Sequence, residues 1–206
     1  MIATLEALLS ILFPAAIVAS VKTAGDRPVR TLDNLQTAFN GETNANHKYL
    51  AFAKKADEEG FGEVASLFRA AAKAEEIHAA SHARVIRKLG AEPKAEILPA
   101  EVKSTRENLE VAIAGEVYER DVMYPEFIDE AKTAGNSDAL RTFRFAIKAE
   151  AEHARFYTEA LNNLPKLRGK SKQYFVCLVC GYTTENLNFL RCLVCGEPKE
   201  KYAAVS

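Results

Sequence analysis

The chain has 206 residues, 48% apolar and 27% charged, an ordinary globular balance that allows one domain or one domain with a small module. Its net charge of −1 gives no electrostatic reason to expect nucleic acid or an anionic membrane surface as a partner. Ten Gly and seven Pro exclude collagen-like and low-complexity classes.

Residues 1–29 read as an apolar N-terminal extension and linker. Leu5–Val21 is mostly apolar but interrupted by Glu6, Ser10, Pro14 and Ser20. It is short for a spanning helix, which needs roughly 20 apolar residues. No Lys or Arg precedes it, as a signal peptide would require. A packing helix, a weak targeting or anchoring segment and a poorly ordered extension all remain open. The expected location is cytoplasmic, with membrane association or export through residues 1–28 kept as an alternative. Residues 23–30 read as a linker.

Residues 30–164 read as helix throughout, with no strand alternation. Helices are predicted at 32–59, 62–89, 104–134 and 137–163. Gly60, Gly90 and Gly135 are plausible residues to end them, and Ser104-Thr-Arg-Glu107 is a capping box opening the third. The first and last connections are short. The middle one, 90–103, is long and holds Pro93 and Pro99, which is how two helical hairpins join by a crossover in a four-helix bundle.

The two hairpins repeat one another. Leu35-x-x-Ala38-x-x-Gly41-Glu42 returns as Leu109-x-x-Ala112-x-x-Gly115-Glu116. Phe68-Arg69-x-Ala71-x-Lys73-Ala74-Glu75-x-x-His78-Ala79 returns as Phe143-Arg144-x-Ala146-x-Lys148-Ala149-Glu150-x-x-His153-Ala154. Glu42 and Glu116 are 74 residues apart and Glu75 and Glu150 are 75 apart, so each hairpin is one unit around a pseudo-two-fold axis.

In each helix a Glu falls on the apolar stripe predicted to be buried. Four carboxylates facing one another require positive charge between them. Glu and His at i, i+3 share a helix face, so Glu75/His78 and Glu150/His153 can each grip one metal ion, with Glu42 and Glu116 bridging or capping. One Glu from each of two helices plus Glu-x-x-His from the other two is a known ferritin-like di-iron pattern. Glu119, at i+3 from Glu116, offers a further ligand where the first half has Ala45. This carboxylate-rich set suits iron or manganese better than copper. Tyr49 and Tyr124 can hydrogen-bond ligand carboxylates or simply fill the core. His82 is assigned an outer or packing role, because the second repeat has Tyr157 there, and His47 is expected at the surface.

Residues 165–173 read as a basic linker and 174–206 as a second unit. Cys177-x-x-Cys180-Gly and Cys192-x-x-Cys195-Gly place four thiolates around one tetrahedral metal. The unit is too small to fold on an apolar core alone, so metal supplies folding energy. Tetrahedral sulfur suits zinc and iron alike, but a redox-capable neighbour favours iron.

Together these residues resemble the rubrerythrin family, over about residues 30–202. The resemblance rests on Gly41-Glu42, Glu75-x-x-His78, Gly115-Glu116-x-x-Glu119, Met123-Tyr124-Pro125, Glu150-x-x-His153 and the two Cys knuckles, in that order. It implies a ferritin-like bundle holding two iron ions and a rubredoxin-like domain holding one iron. It implies reduction of hydrogen peroxide to water, with Glu42, Glu119, Tyr49 and Tyr124 as catalytic candidates. It also implies an external electron donor, either a rubredoxin or a flavoprotein reductase. Finally, it implies a head-to-tail homodimer in which the Cys-ligated iron of one subunit sits near the di-iron site of the other. The competing reading is a ferroxidase or iron-handling protein with a structural zinc at the four Cys. Tyr118 stands where that family often has His, and an effect around the ligands is expected from it.

Overall fold

The computed structural model describes residues 26–206, with side chains described from residue 30. Expectations for the more N-terminal chain lie outside the described residues. Helix α1 spans Asp26–Glu58, α2 Gly62–Lys88, α3 Thr105–Tyr118, α4 Tyr124–Thr133 and α5 Ser137–Asn163. No helix among the described residues is long and apolar enough to cross a membrane.

The described start of α1 corrects the predicted linker over residues 26–30; residues 23–25 lie outside the described residues. Pro28 stands in the first turn, where its missing N–H has no helical partner to lose, so it is compatible with a helix start. Gly60, Gly90 and Gly135 all adopt positive φ (78°, 81° and 67°), the left-handed geometry that closes helix ends. Ser104 and Glu107 form the reciprocal capping box that opens α3.

The predicted third helix is not uniform. Glu119–Met123 between α3 and α4 is a π-helical turn, in which the Tyr124 N–H reaches back to the Glu119 carbonyl. The repeat explains it. Glu42 and Glu116 are 74 residues apart, but Tyr49 and Tyr124 are 75 apart. One residue has been added to the second copy between these positions, and a single π turn absorbs it without breaking the helix.

The crossover, residues 91–104, has no regular structure, yet α1 side chains meet several of its backbone groups. Gln36, Asn40 and Asn44, spaced one turn apart on α1, present carboxamides to it like rungs. Gln36 pairs with Glu92 O and Lys94 N (2.7 and 3.0 Å), Asn40 with Glu96 N (2.9 Å), and Asn44 with Glu96 O and Leu98 N (2.8 Å each). These bonds replace the ladder the crossover lacks.

The apolar core falls into two blocks separated by a polar layer. One block centres on Tyr49, Phe52, Phe68 and Tyr157, and the other on Leu35, Tyr124, Phe127 and Phe143. Along every bundle helix the predicted stripe runs from one block, through its Glu or Glu-x-x-His, to the other.

The C-terminal residues form a small antiparallel sheet of β1 (Tyr174–Cys177), β2 (Thr183–Thr184) and β3 (Tyr202–Val205), in the order β2-β1-β3. It packs directly on the bundle, and Tyr174 and Val176 join the first core block. The connecting residues are strapped to the α1–α2 turn. Gly169 N–H donates to Gly60 O (3.0 Å), Arg168 donates to Glu59 O (2.7 Å), and Lys172 bridges Glu63 and Glu185 at 2.9 and 2.8 Å.

Candidate metal centres

The polar layer brings together Glu42, Glu75, His78, Glu116, Glu150 and His153, all at most 2% exposed. Two overlapping clusters form, with donor atoms lying within 4.8 Å of one another. Glu42, Glu75, His78 and Glu150 make one; Glu75, Glu116, Glu150 and His153 make the other. His78 Nδ1 lies 2.9, 3.1 and 3.8 Å from Glu75, Glu150 and Glu42. His153 Nδ1 lies 3.0, 3.2 and 3.5 Å from Glu150, Glu75 and Glu116. Glu75 and Glu150 therefore belong to both clusters, whereas Glu42 and Glu116 cap opposite ends.

Six buried atoms of this layer have no hydrogen-bond partner: Glu42 Oε2, Glu75 Oε1, Glu116 Oε2, both Glu150 oxygens and His153 Nδ1. Orphaned buried carboxylate oxygens are costly unless a cation meets them. The electrostatics say the same. Burial, then neighbouring carboxylates, pushes Glu42 and Glu119 well above the usual carboxylate range. Burial also takes Glu116 to about 8 despite the opposing pull of His153. Burial would lower His78, but Glu150 and Glu75 outweigh it and raise the ring to about 10. Against burial, the two His rings hold Glu75 down at about 2, so within the layer positive charge is what keeps a buried carboxylate ionised. Four carboxylates match the charge of two divalent ions, and the donor set fits iron or manganese.

Tyr49 donates to Glu116 Oε1 at 2.5 Å, and Tyr124 donates to Glu42 Oε1. In both cases the tyrosine takes Oε1 and leaves Oε2 as the orphan. Glu119 stands outside both clusters, in the π turn. It is half-buried, and its Oε1 faces the Cα side of Gly41, where even a methyl group would sit 3.9 Å away. Tyr118 is 55% exposed, pointing away from the ligands, which removes the effect expected of it. His47 is exposed, as anticipated.

The four Cys converge as a second cluster. Cys177 and Cys195 sulfurs lie 3.7 Å apart, and Cys180 and Cys192 sulfurs 3.6 Å apart. A sulfur tetrahedron with metal bonds of about 2.3 Å has edges of about 3.8 Å. The cluster therefore fits a tetrahedral ion. The Cys180 thiol, then the backbone N–H groups of Val179 and Cys180, lower Cys177 to about 5, favouring thiolate.

Sequence reasoning did not foresee that this cluster would sit against the same chain's bundle. His78 Nε2 lies 3.1 Å from Cys180 O, and His153 Nε2 lies 3.1 Å from Thr183 Oγ1. Both candidate His ligands thus turn their outer nitrogen to the Cys unit and their Nδ1 to the carboxylates. The resemblance implied that a partner subunit makes this approach; within the single chain, its own unit makes it. No local motif signals Thr183, since its role depends on how two distant segments dock.

A family model described as Rubrerythrin matches residues 33–161. The chain is 37% identical to nigerythrin of Nitratidesulfovibrio vulgaris over 177 residues, covering 84% of this chain and 86% of that protein. It is 32% identical to Rubrerythrin-2 of Clostridium acetobutylicum over 177 residues, covering 84% and 96%. The fully reduced, all-ferrous structure of nigerythrin matches with a TM-score of 0.78 at 36% identity, covering 91% of each chain. A Desulfovibrio desulfuricans bacterioferritin matches at 24% identity and a TM-score of 0.66, which shows a shared bundle fold alone.

Proposed function

The chain belongs to the rubrerythrin family, and from that premise we propose that it is a non-haem di-iron peroxidase that reduces hydrogen peroxide to water. The observation that carries this reading is the union of two centres: six buried N/O donor residues in two overlapping sets, one of whose His residues is hydrogen-bonded to the backbone carbonyl of a cysteine in the four-Cys cluster. Storage of iron needs no such connection. Nigerythrin, its similar relative, has been solved in all-ferrous and mixed-valent states, so iron in that protein takes more than one oxidation state.

Glu42, Glu75, His78, Glu116, Glu150 and His153 would hold two iron ions, and Cys177, Cys180, Cys192 and Cys195 one more. The bound iron pair would supply one electron per ion and Lewis-acid polarisation of the O–O bond. The balance is one peroxide, two electrons and two protons to two waters.

The chain's own residues do the rest. Tyr49 and Tyr124 each hold one oxygen of a Glu at the ends of the layer and so fix the orientation of the carboxylate. The two aromatic blocks exclude water above and below. Glu119, kept protonated by burial and its carboxylate neighbours, can hand a proton from its carboxyl oxygen to a leaving oxygen. Once ionised, it would add a fifth negative charge beside the two donor sets. Cys180 O, bonded to His78 Nε2, would link the Cys centre to the layer.

An external donor, a rubredoxin or a flavoprotein reductase, would refill the Cys centre. The homodimer implied by the resemblance is kept as part of the proposal, its head-to-tail arrangement to be tested below. In the alternative ferroxidase reading, zinc fills the Cys site and the bundle oxidises ferrous iron with oxygen. Iron-loaded protein should consume peroxide with an artificial reductant and run as a small oligomer on sizing. A large iron-filled shell with no peroxide turnover would support the ferroxidase reading.

A further inference from the structure

Glu42 and Glu116 are related by the internal repeat, yet their supports are unequal. Beyond Tyr49 the polar chain stops. Its ring packs against Phe52, Phe68 and Tyr157, and the Tyr157 hydroxyl has no hydrogen-bond partner. Beyond Tyr124 the chain continues. His82 Nε2 lies 3.1 Å from the Tyr124 hydroxyl, and His82 Nδ1 lies 3.1 Å from Thr142 Oγ1. All of these groups are buried, with His82 fully inaccessible and Thr142 only 5% exposed.

The directions of these bonds follow from the donor inventory. Tyr124 has one O–H, and it is donated to Glu42. Tyr124 must therefore accept from His82 Nε2–H. A neutral ring protonated at Nε2 has a bare Nδ1, which accepts the Thr142 hydroxyl proton. Burial, then the nearby His78, depresses His82 to about 3, consistent with a neutral ring. Thr142 in turn lines a groove of about 400 Å³ between α2, α5 and the Cys unit. The result is one directed chain, Thr142 to His82 to Tyr124 to Glu42, with no counterpart at Glu116.

We propose that His82 and Thr142 are positioning residues for the Glu42 end of the di-metal site: they hold the Tyr124 hydroxyl on Glu42 Oε1 and so fix the orientation of that carboxylate. With Thr142 and His82 in place, Tyr124 has one orientation available. The Glu116 end lacks this lock, so the two metal positions are inequivalent. The inference rests on the di-metal reading and adds to it residues that touch neither ion.

The probe is manganese(II), which prefers oxygen ligands over thiolates. It is titrated into protein whose bundle metal has been removed, and the free ion is counted by electron paramagnetic resonance. Wild type should bind two ions per chain in the bundle. Loss of a partner behind a ligand typically weakens binding by roughly 10–100-fold. Thr142→Val and His82→Phe should therefore weaken one of the two ions by a factor in that range and leave the other unchanged. His82→Gln, which keeps a donor for Tyr124, should recover part of the loss. Tyr157→Phe, at the position equivalent to His82, should leave both ions as in wild type.

Thr142→Val removes a single hydroxyl with shape preserved, so it decides the matter even where His82→Phe folds poorly. Wild-type binding of both ions by Thr142→Val, or equal weakening by Tyr157→Phe, would overturn the inference. A wild-type protein that binds no manganese in the bundle would overturn the di-metal reading itself.

Discussion

His78 Nε2 and the carbonyl oxygen of Cys180 are 3.1 Å apart, so a candidate ligand of the bundle centre is hydrogen-bonded to a candidate ligand of the Cys centre. The adjacent residue must be Gly. Gly181 has φ +77°, and a Cβ there would lie 2.2 Å from His78 Nε2. Gly181→Ala should therefore push the Cys unit off the ring. We expect both centres to retain metal while electron transfer between them slows by about tenfold or more, an effect of roughly 1.4 kcal/mol on the barrier. Rapid mixing of reduced protein with peroxide measures it. An unchanged rate would mean that electrons bypass this contact.

Whether the productive contact lies within a chain or between chains can be read by complementation. One variant carries Cys180→Ser and the other Glu75→Ala, and each alone should be inactive. Contact within a chain predicts that co-refolded mixtures stay inactive. The head-to-tail homodimer predicts that mixed dimers recover activity, because an intact Cys unit then faces an intact bundle.

Glu119 lies outside the two clusters yet beside them, so its removal should separate binding from chemistry. Glu119→Ala is expected to keep both bundle irons by metal analysis while slowing peroxide turnover on the order of 100-fold, the scale of a lost general acid. Loss of iron would make Glu119 a plain structural ligand instead.

The metal-free protein should show an inverted pH response. Burial works against a charged His78, but Glu150 and Glu75 dominate and raise it to about 10, against about 6.5 in an unfolded chain. A raised folded value means the native state holds a proton that the unfolded state releases. This contribution is complete below about pH 6.5 and is lost as pH rises through about 10. Metal-free Tm should fall between those limits. The loaded protein, whose layer is neutralised by metal, should lack the decline.

The crossover supplies a test of the fold. Asn40 accepts from Glu96 N–H, and Asn44 bonds both Glu96 O and Leu98 N–H. Replacing either by Ala should destabilise the fold by about 1 kcal/mol, the net worth of an exposed hydrogen bond or two. Denaturant unfolding measures this, and neither change should alter metal content.

Much of this was legible from residue spacing. The stripe positions of Glu42, Glu75, Glu116 and Glu150 and the Cys-x-x-Cys pairs announce where charge and sulfur must meet, because helical period and knuckle geometry are local properties. The π turn is legible too: the repeat offset moves from 74 at Glu116 to 75 at Tyr124, one residue more than an α-helix can hide. Helix α1 covers Asp26–Glu58, ahead of the predicted start at 32, because Pro28 suits a first helical turn as well as a linker. The sequence-illegible parts are tertiary. That His82 joins Tyr124 to Thr142, and that Thr183 reaches His153, depends on packing between elements 42, 60 and 30 residues apart. Tyr118 failed as an expected neighbour of the ligands because the helix turns it outward.

The most direct measurement is anaerobic. Iron-analysed protein is fully reduced, mixed rapidly with hydrogen peroxide, and followed by the visible absorbance of sulfur-ligated iron. The account predicts prompt return of the oxidised Cys-centre colour, with two electrons consumed per peroxide. A colourless Cys centre, or oxidation much slower with peroxide than with oxygen, would contradict it and favour a ferroxidase with structural zinc.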